Sequence, residues 1–229
     1  MKKLVLSALL FVAGSATAFA DTVIAFSDLS SSNNVYGVAT ASGTEIKTYS
    51  GNTPGGIAVG FGGGVYGVPN TNGYLTFDLK STGNATSIPS FGGYQSFQGD
   101  FKITSNADGT GTVYAASSGL ALTGTIVGVN GAASFVLDTT SATDLTGTLV
   151  TGGQFVGPFG VSLHFASASP TFGLTTISGN TTIKSFSSIV TGSVTGTAVP
   201  EPSTFALLGF GVAGLAFATY RQRKVASAV

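Results

Sequence analysis

An alternation of apolar and polar residues with a period of two runs through the middle of this chain, and it restricts the fold to pleated strands. In Tyr74 to Leu79, residues Leu75, Phe77 and Leu79 point one way and Tyr74, Thr76 and Asp78 the other. Phe97 to Ile103 sets Phe97, Phe101 and Ile103 against Gln98, Asp100 and Lys102, and Val161 to Ala166 repeats the pattern with Val161, Leu163 and Phe165. Such segments bury one face and wet the other. Further strands are expected at Thr22–Phe26, Thr44–Tyr49, Ile57–Phe61, Thr112–Ala116, Leu120–Val129, Ala133–Leu137, Leu145–Val150, Phe172–Ile177 and Thr182–Phe186. Turn dipeptides separate them: Ser42-Gly43, Asn72-Gly73, Asp108-Gly109 and Asn130-Gly131, where Gly or Asn takes a positive φ at low cost. Many short strands at this spacing predict an all-β chain, a single antiparallel β-sandwich-like domain over residues 21–197. VYGVATASG at Val35–Gly43 and VYGVPNTNG at Val65–Gly73 echo each other, which is read as similar hairpins rather than as a repeat architecture.

The two ends of the chain are of a different kind. Lys2 and Lys3, an apolar run from Leu4 to Val12 and small residues before a break give residues 1–20 the layout of a secretory signal peptide. Ala18-Phe19-Ala20 places the expected cut between Ala20 and Asp21, with Ala18/Phe19 as the second choice. At the other end Phe205 to Tyr220 holds sixteen residues without a charge, followed by Arg221, Arg223 and Lys224. As a helix it is about 24 Å long, against roughly 30 Å of hydrocarbon. It shows no polar face, so membrane insertion as a transmembrane helix is expected, with the basic tail as a cytoplasmic stop-transfer signal and the β body on the far side. Gly209, Gly211 and Gly214 weaken it as a permanent anchor.

Between these ends the body carries four lysines against eight acids and no basic patch, which excludes nucleic acid as a partner. Cysteine is absent, and with it disulfides, thiolate catalysis and cysteine metal sites. His164, the one histidine, falls on the polar face of its strand, with no nucleophile elbow to support it. The acids Asp21, Asp28, Glu45, Asp78, Asp100, Asp108, Asp138 and Asp144 fall mostly at turns or on polar faces. Asn106-Ala107-Asp108-Gly109 lacks the acids of a calcium loop and reads as a turn, and Gly62-Gly63-Gly64 lacks the helix and Lys-Ser/Thr of a phosphate loop. Asn84 and Asn180 begin N-x-Thr sequons. Nothing here predicts a catalytic, cofactor-binding or metal-ligating residue, so the chain is expected not to be an enzyme.

Ahead of the apolar run, Pro200-Glu201-Pro202 cannot continue a helix and biases its neighbours to extended conformations. The order Val199-Pro200-Glu201-Pro202-Ser203-Thr204, short apolar helix, Arg-rich tail resembles the PEP-CTERM sorting domain over residues 198–224. The resemblance implies a protein of a Gram-negative, exopolysaccharide-producing bacterium that is exported and then cut near Pro-Glu-Pro by a membrane-embedded exosortase. Pro200, Glu201 and Pro202 would be the recognition residues, Phe205 to Tyr220 the membrane segment, and Arg221, Arg223 and Lys224 the stop-transfer residues. The same segment is also grouped under an ice-binding-protein C-terminal label. Together these readings give a non-enzymatic cell-surface or matrix protein associated with biofilm or exopolysaccharide. The alternatives are an adhesin or an ice- or carbohydrate-binding module, for which TTISGNTTI and TGSVTGT offer threonines, and a carbohydrate-active enzyme, which needs two carboxyl groups across a cleft.

Overall fold

The computed structural model describes residues 20–30, 32, 34–50, 53–62, 72–89, 92–127, 134–139, 145–148, 155–198 and 209–215. Fourteen strands are present among them: β1 (Ala20–Asp28), β2 (Val35–Thr40), β3 (Gly43–Ser50), β4 (Thr53–Pro54), β5 (Ile57–Phe61), β6 (Gly73–Ser81), β7 (Thr86–Ile88), β8 (Gly92–Thr104), β9 (Val113–Val127), β10 (Ser134–Thr139), β11 (Phe155–Ser169), β12 (Leu174–Ile177), β13 (Asn180–Ile183) and β14 (Phe186–Ala198). Met1–Ala198 and Val199–Val229 are two separate units. The first is the all-β antiparallel domain that the alternation called for; in the second, residues 209–215 are helical.

Twelve of the strands form one sheet, and its pairings close on themselves. β1 pairs with β14 and β5, β5 with β6, β6 with β8, and β8 leads through β9, β10 and β11 back to β14. The hairpin of β2 and β3 bridges the same two strands, β14 and β6, at their other ends. A closed sheet has no long unpaired edge to recruit another chain. Across the enclosed core, the rings of Phe77 on β6 and Phe165 on β11 sit edge to face, 6.1 Å apart.

The core follows the period of two. Leu75, Phe77 and Leu79, then Phe97, Phe101 and Ile103, then Val161, Leu163 and Phe165 are all 2% exposed or less. Phe135 stands in the middle of an aromatic group with Phe97, Phe165, Phe172 and Phe186. Glycine completes this packing. A Cβ on Gly124 would lie 2.6 Å from the ring of Phe135, one on Gly192 2.5 Å from Phe26, and one on Gly37 2.2 Å from Phe186. Each phenylalanine comes from the neighbouring strand and lies over a backbone that has no side chain of its own. Close packing of this kind explains how a chain so rich in glycine fills a core.

The β12–β13 hairpin is tied to the sheet by a buried polar cluster. Gln95 on β8 accepts a hydrogen bond from the backbone N–H of Ile183 (3.1 Å) and donates one to the carbonyl of Gly83 (2.8 Å). Thr44 on β3 donates to the carbonyl of Ile183 (2.9 Å), and its hydroxyl also meets that of Thr182. Thr44, Gln95 and Thr182 are 1% exposed or less, so these bonds replace water that cannot reach them.

Several expected strands are redrawn. Thr112–Ala116 and Leu120–Val129 are one strand, β9, which runs through Gly119 at φ +71°. Within Leu145–Val150 the described residues make only one bridge, Thr146 to Ala116. Thr182–Phe186 breaks between β13 and β14. The echo at Val35–Gly43 is the β2–β3 hairpin; its second copy and Asn130-Gly131 fall largely outside the described residues.

Candidate functional site

His164 is exposed, and its cross-strand neighbours are Val136 and Thr191, neither of which can poise an imidazole. Asn106–Gly109 is a turn: Gly109 N–H bonds the carbonyl of Asn106 (3.1 Å), while Asp108 accepts bonds from the hydroxyl and N–H of Thr110 (2.6 and 3.0 Å). Those bonds hold the Asp108 carboxyl below the usual carboxylate range. Among the described residues no three His, Cys, Asp or Glu side chains gather as a metal site. Of the two sequon asparagines, Asn180 spends its amide on the carbonyl of Ala41 (2.7 Å) and Asn84 is exposed.

A groove of about 690 Å³ lies between β3, β6 and the turn after β8, and its charged lining is Lys47, Asp78, Lys102 and Asp108. Lys47 is shared by Glu45 (3.4 Å) and Asp78 (3.3 Å), and Lys80 also reaches Glu45 (3.5 Å). Burial opposes charge at Glu45, but Lys47 and Lys80 outweigh it and hold the carboxyl below its ordinary value. Lys102 donates to the carbonyl of Gly109 at 2.6 Å. Each charged group in the groove is engaged by its own wall, and the one aromatic residue in its lining, Phe77, is buried.

The outward side of β14 carries Thr191, Ser193, Thr195 and Thr197, a single rank of hydroxyls. Its cross-strand neighbours are mixed: Ser193 faces Ala25 on β1 and Ser162 on β11, Thr195 faces Thr22 and Gly160, and Thr191 faces Ser27 and His164. Of the threonines in TTISGNTTI, Thr182 is fully buried.

The strand that bears this rank also leads to the end of the body. β14 is a wall strand, paired with β11 along one edge and with β2 and then β1 along the other. Its register puts Thr197 opposite Ala20 and Gly196 opposite Asp21, so the body's first and last strands are neighbours. β14 ends on Ala198. Residues 198–224 match the family model described as the PEP-CTERM protein-sorting motif. The chain carries that sorting motif. No curated protein and no solved structure matches the chain. The PEP-CTERM motif marks an exported protein whose membrane-anchored precursor an exosortase processes, and here it begins on the last residue of the sheet.

The motif's Pro200, Glu201 and Pro202, the basic residues Arg221, Arg223 and Lys224, and the signal peptide up to residue 19 lie outside the described residues. Of the helix expected over Phe205–Tyr220, the described part is 209–215, and among the described residues no helix is long and apolar enough to cross a membrane. The transmembrane reading therefore rests on the apolar run in the sequence and not on the structure. Sequence reasoning passed over β14 itself as a strand beyond Phe186, although it is the element that joins the body to the motif.

Proposed function

We propose that this is a non-enzymatic protein of the cell surface or extracellular matrix, with the β body as cargo and residues 198–224 as its address. The observation that carries this reading is the PEP-CTERM motif starting where β14 ends. Its non-enzymatic part is supported by the isolated His164 and by the charged groups of the groove, each of which is held by its own wall: Lys47 by Asp78 and Glu45, Lys102 by the Gly109 carbonyl, Asp108 by Thr110. In the precursor the signal peptide directs export, the β body stands on the periplasmic side of the inner membrane, and Phe205–Tyr220 holds the chain there until the exosortase acts. The exopolysaccharide matrix outside the cell is the destination this reading names.

Fractionation of the native host tests it. With the exosortase present, the β body is expected in the envelope exterior or the medium; in a host lacking it, the body is expected to accumulate in the inner-membrane fraction. An identical distribution in both hosts would refute sorting, and cytoplasmic protein in both would refute export.

A further inference from the structure

A second groove, of about 500 Å³, opens on the outer face of the body between β2, the start of β14 and the β12–β13 hairpin. The alternation along β2 turns Tyr36 and Val38 outward into it, 38% and 47% exposed, while Val35 and Gly37 face the core. Pro170 and Ile177 extend the apolar lining. The Tyr36 ring is held edge to face with Tyr49 of β3, the centroids 5.1 Å apart. Beside these surfaces stand Lys184 and Ser185, both exposed. Among the described residues Lys184 is the lysine whose ammonium has no partner: Lys47 is held by Glu45 and Asp78, Lys80 by Glu45 and Lys102 by the Gly109 carbonyl. The lining contains no carboxylate, so in a body of four lysines and eight acids this groove is a positive spot.

That combination selects a ligand. A pyranose ring packs its face of C–H bonds on a fixed aromatic ring and offers hydroxyls at its rim, and an acidic sugar adds one carboxylate. Ser185 Oγ already accepts the Ala39 N–H (2.9 Å), which leaves its O–H to donate. An extended peptide finds no strand edge on the β2 bank, because Tyr36 and Gly37 pair with Ser187 and Phe186 and the Ala39 N–H is taken. An anionic lipid surface is held by clusters of cations, and this groove has one. We propose that the groove binds an acidic sugar unit of a polysaccharide, with the ring on Tyr36 and its carboxylate on the Lys184 ammonium. The inference rests on the matrix destination proposed above, and it gives the β body a handhold on a polymer that its negative charge otherwise repels.

Isothermal titration of the protein recovered from its native host tests this, with a galacturonic acid tetramer and with the same tetramer carboxyl-reduced to neutral galactose units. The acidic tetramer is expected to bind, and the neutral one to bind about fivefold more weakly. Lys184→Gln should remove that preference and Lys184→Arg should keep it; Lys80→Gln, outside the groove, should leave it unchanged. Tyr36→Ala should weaken both tetramers about tenfold, and Tyr36→Phe should restore them. No binding of either tetramer, or equal affinity for the two, overturns the inference while leaving sorting, which fractionation reads, intact. Self-association of the wild type that Tyr36→Ala abolishes, with no saccharide bound, assigns the groove to a second copy of this chain and overturns it as well. Protein confined to the cytoplasm on fractionation removes the matrix reading, and this inference with it, whatever the titration gives.

Discussion

Replacing Phe135 by alanine probes the aromatic core where it is densest. The side chain is fully buried, and four rings surround it, with centroids at 5.3 Å (Phe165), 5.5 Å (Phe172), 5.9 Å (Phe186) and 6.1 Å (Phe97). It also lies over Gly124, which has no side chain to move into the space. A buried Phe→Ala change costs about 3–5 kcal/mol, and aromatic pairs contribute about 0.5–1.5 kcal/mol each beyond their buried area. With four such pairs and a site that cannot collapse, a loss near the top of the range, about 4–5 kcal/mol, is expected. That is about a quarter or more of the stability of an ordinary domain. Urea unfolding of the released protein, followed by far-UV circular dichroism, reads this as a midpoint shift of about 2 M at an m-value of about 2 kcal/mol/M. Tyr94→Ala, on an exposed side chain, should shift it by less than about 0.3 M. A Phe135→Ala midpoint within about 0.5 M of wild type at unchanged m would refute the account of how this core is filled.

Three other perturbations test separate parts of the structure. Gly37→Ala drives a methyl group into the Phe186 ring and should cost about 1–3 kcal/mol in the same assay; Phe186→Leu should recover part of that cost in the double variant, whereas simple additivity would argue against the contact. Gln95→Leu leaves the Ile183 N–H unpaired in the interior, while the exposed Gly83 carbonyl turns to water, and should cost about 1–3 kcal/mol, with faster amide exchange along β13; slow exchange there would show that the cluster does not hold the hairpin. At Asp28 burial raises the carboxyl pKa above 3.8, against the opposing bond from the Ser30 N–H. The folded state then binds the proton more tightly, so this group's contribution falls as pH rises from 3.8 through the raised value and stays lost above it. Asp28→Asn lacks that dependence, and its urea midpoint should gain on wild type as pH rises from 3 to 7; a constant difference would contradict the assignment.

The strands that sequence reasoning located were those whose inward residues are large and apolar. β6 shows its whole pattern, because Leu75, Phe77 and Leu79 fill their own side of the core. β14 conceals its pattern because half of its inward positions are Ser188, Gly192 and Gly196, and the volume they leave is occupied by Phe26 and Phe159 from adjacent strands. Hydrophobicity read along one strand cannot register a side chain supplied by another. Closure of the sheet was hidden for the same reason, since it depends on β1 meeting β14 across the length of the chain. β9 looked like two strands because Ser117, Ser118 and Gly119 interrupt its apolar positions, while the ladder to β8 continues past the shift opposite Asp100. The functional segment was the opposite case. Pro200-Glu201-Pro202, the uncharged run and the basic tail are contiguous, so the sorting motif was legible without any knowledge of the fold.

The central claim is that the β body is cut free at both ends, and the intact mass of the protein recovered from outside its native host tests it most directly. The account predicts one species that starts at Asp21, next to its β14 partner Gly196, and ends near Pro200-Glu201-Pro202. A species that still begins at Met1 or still ends at Val229 would contradict it.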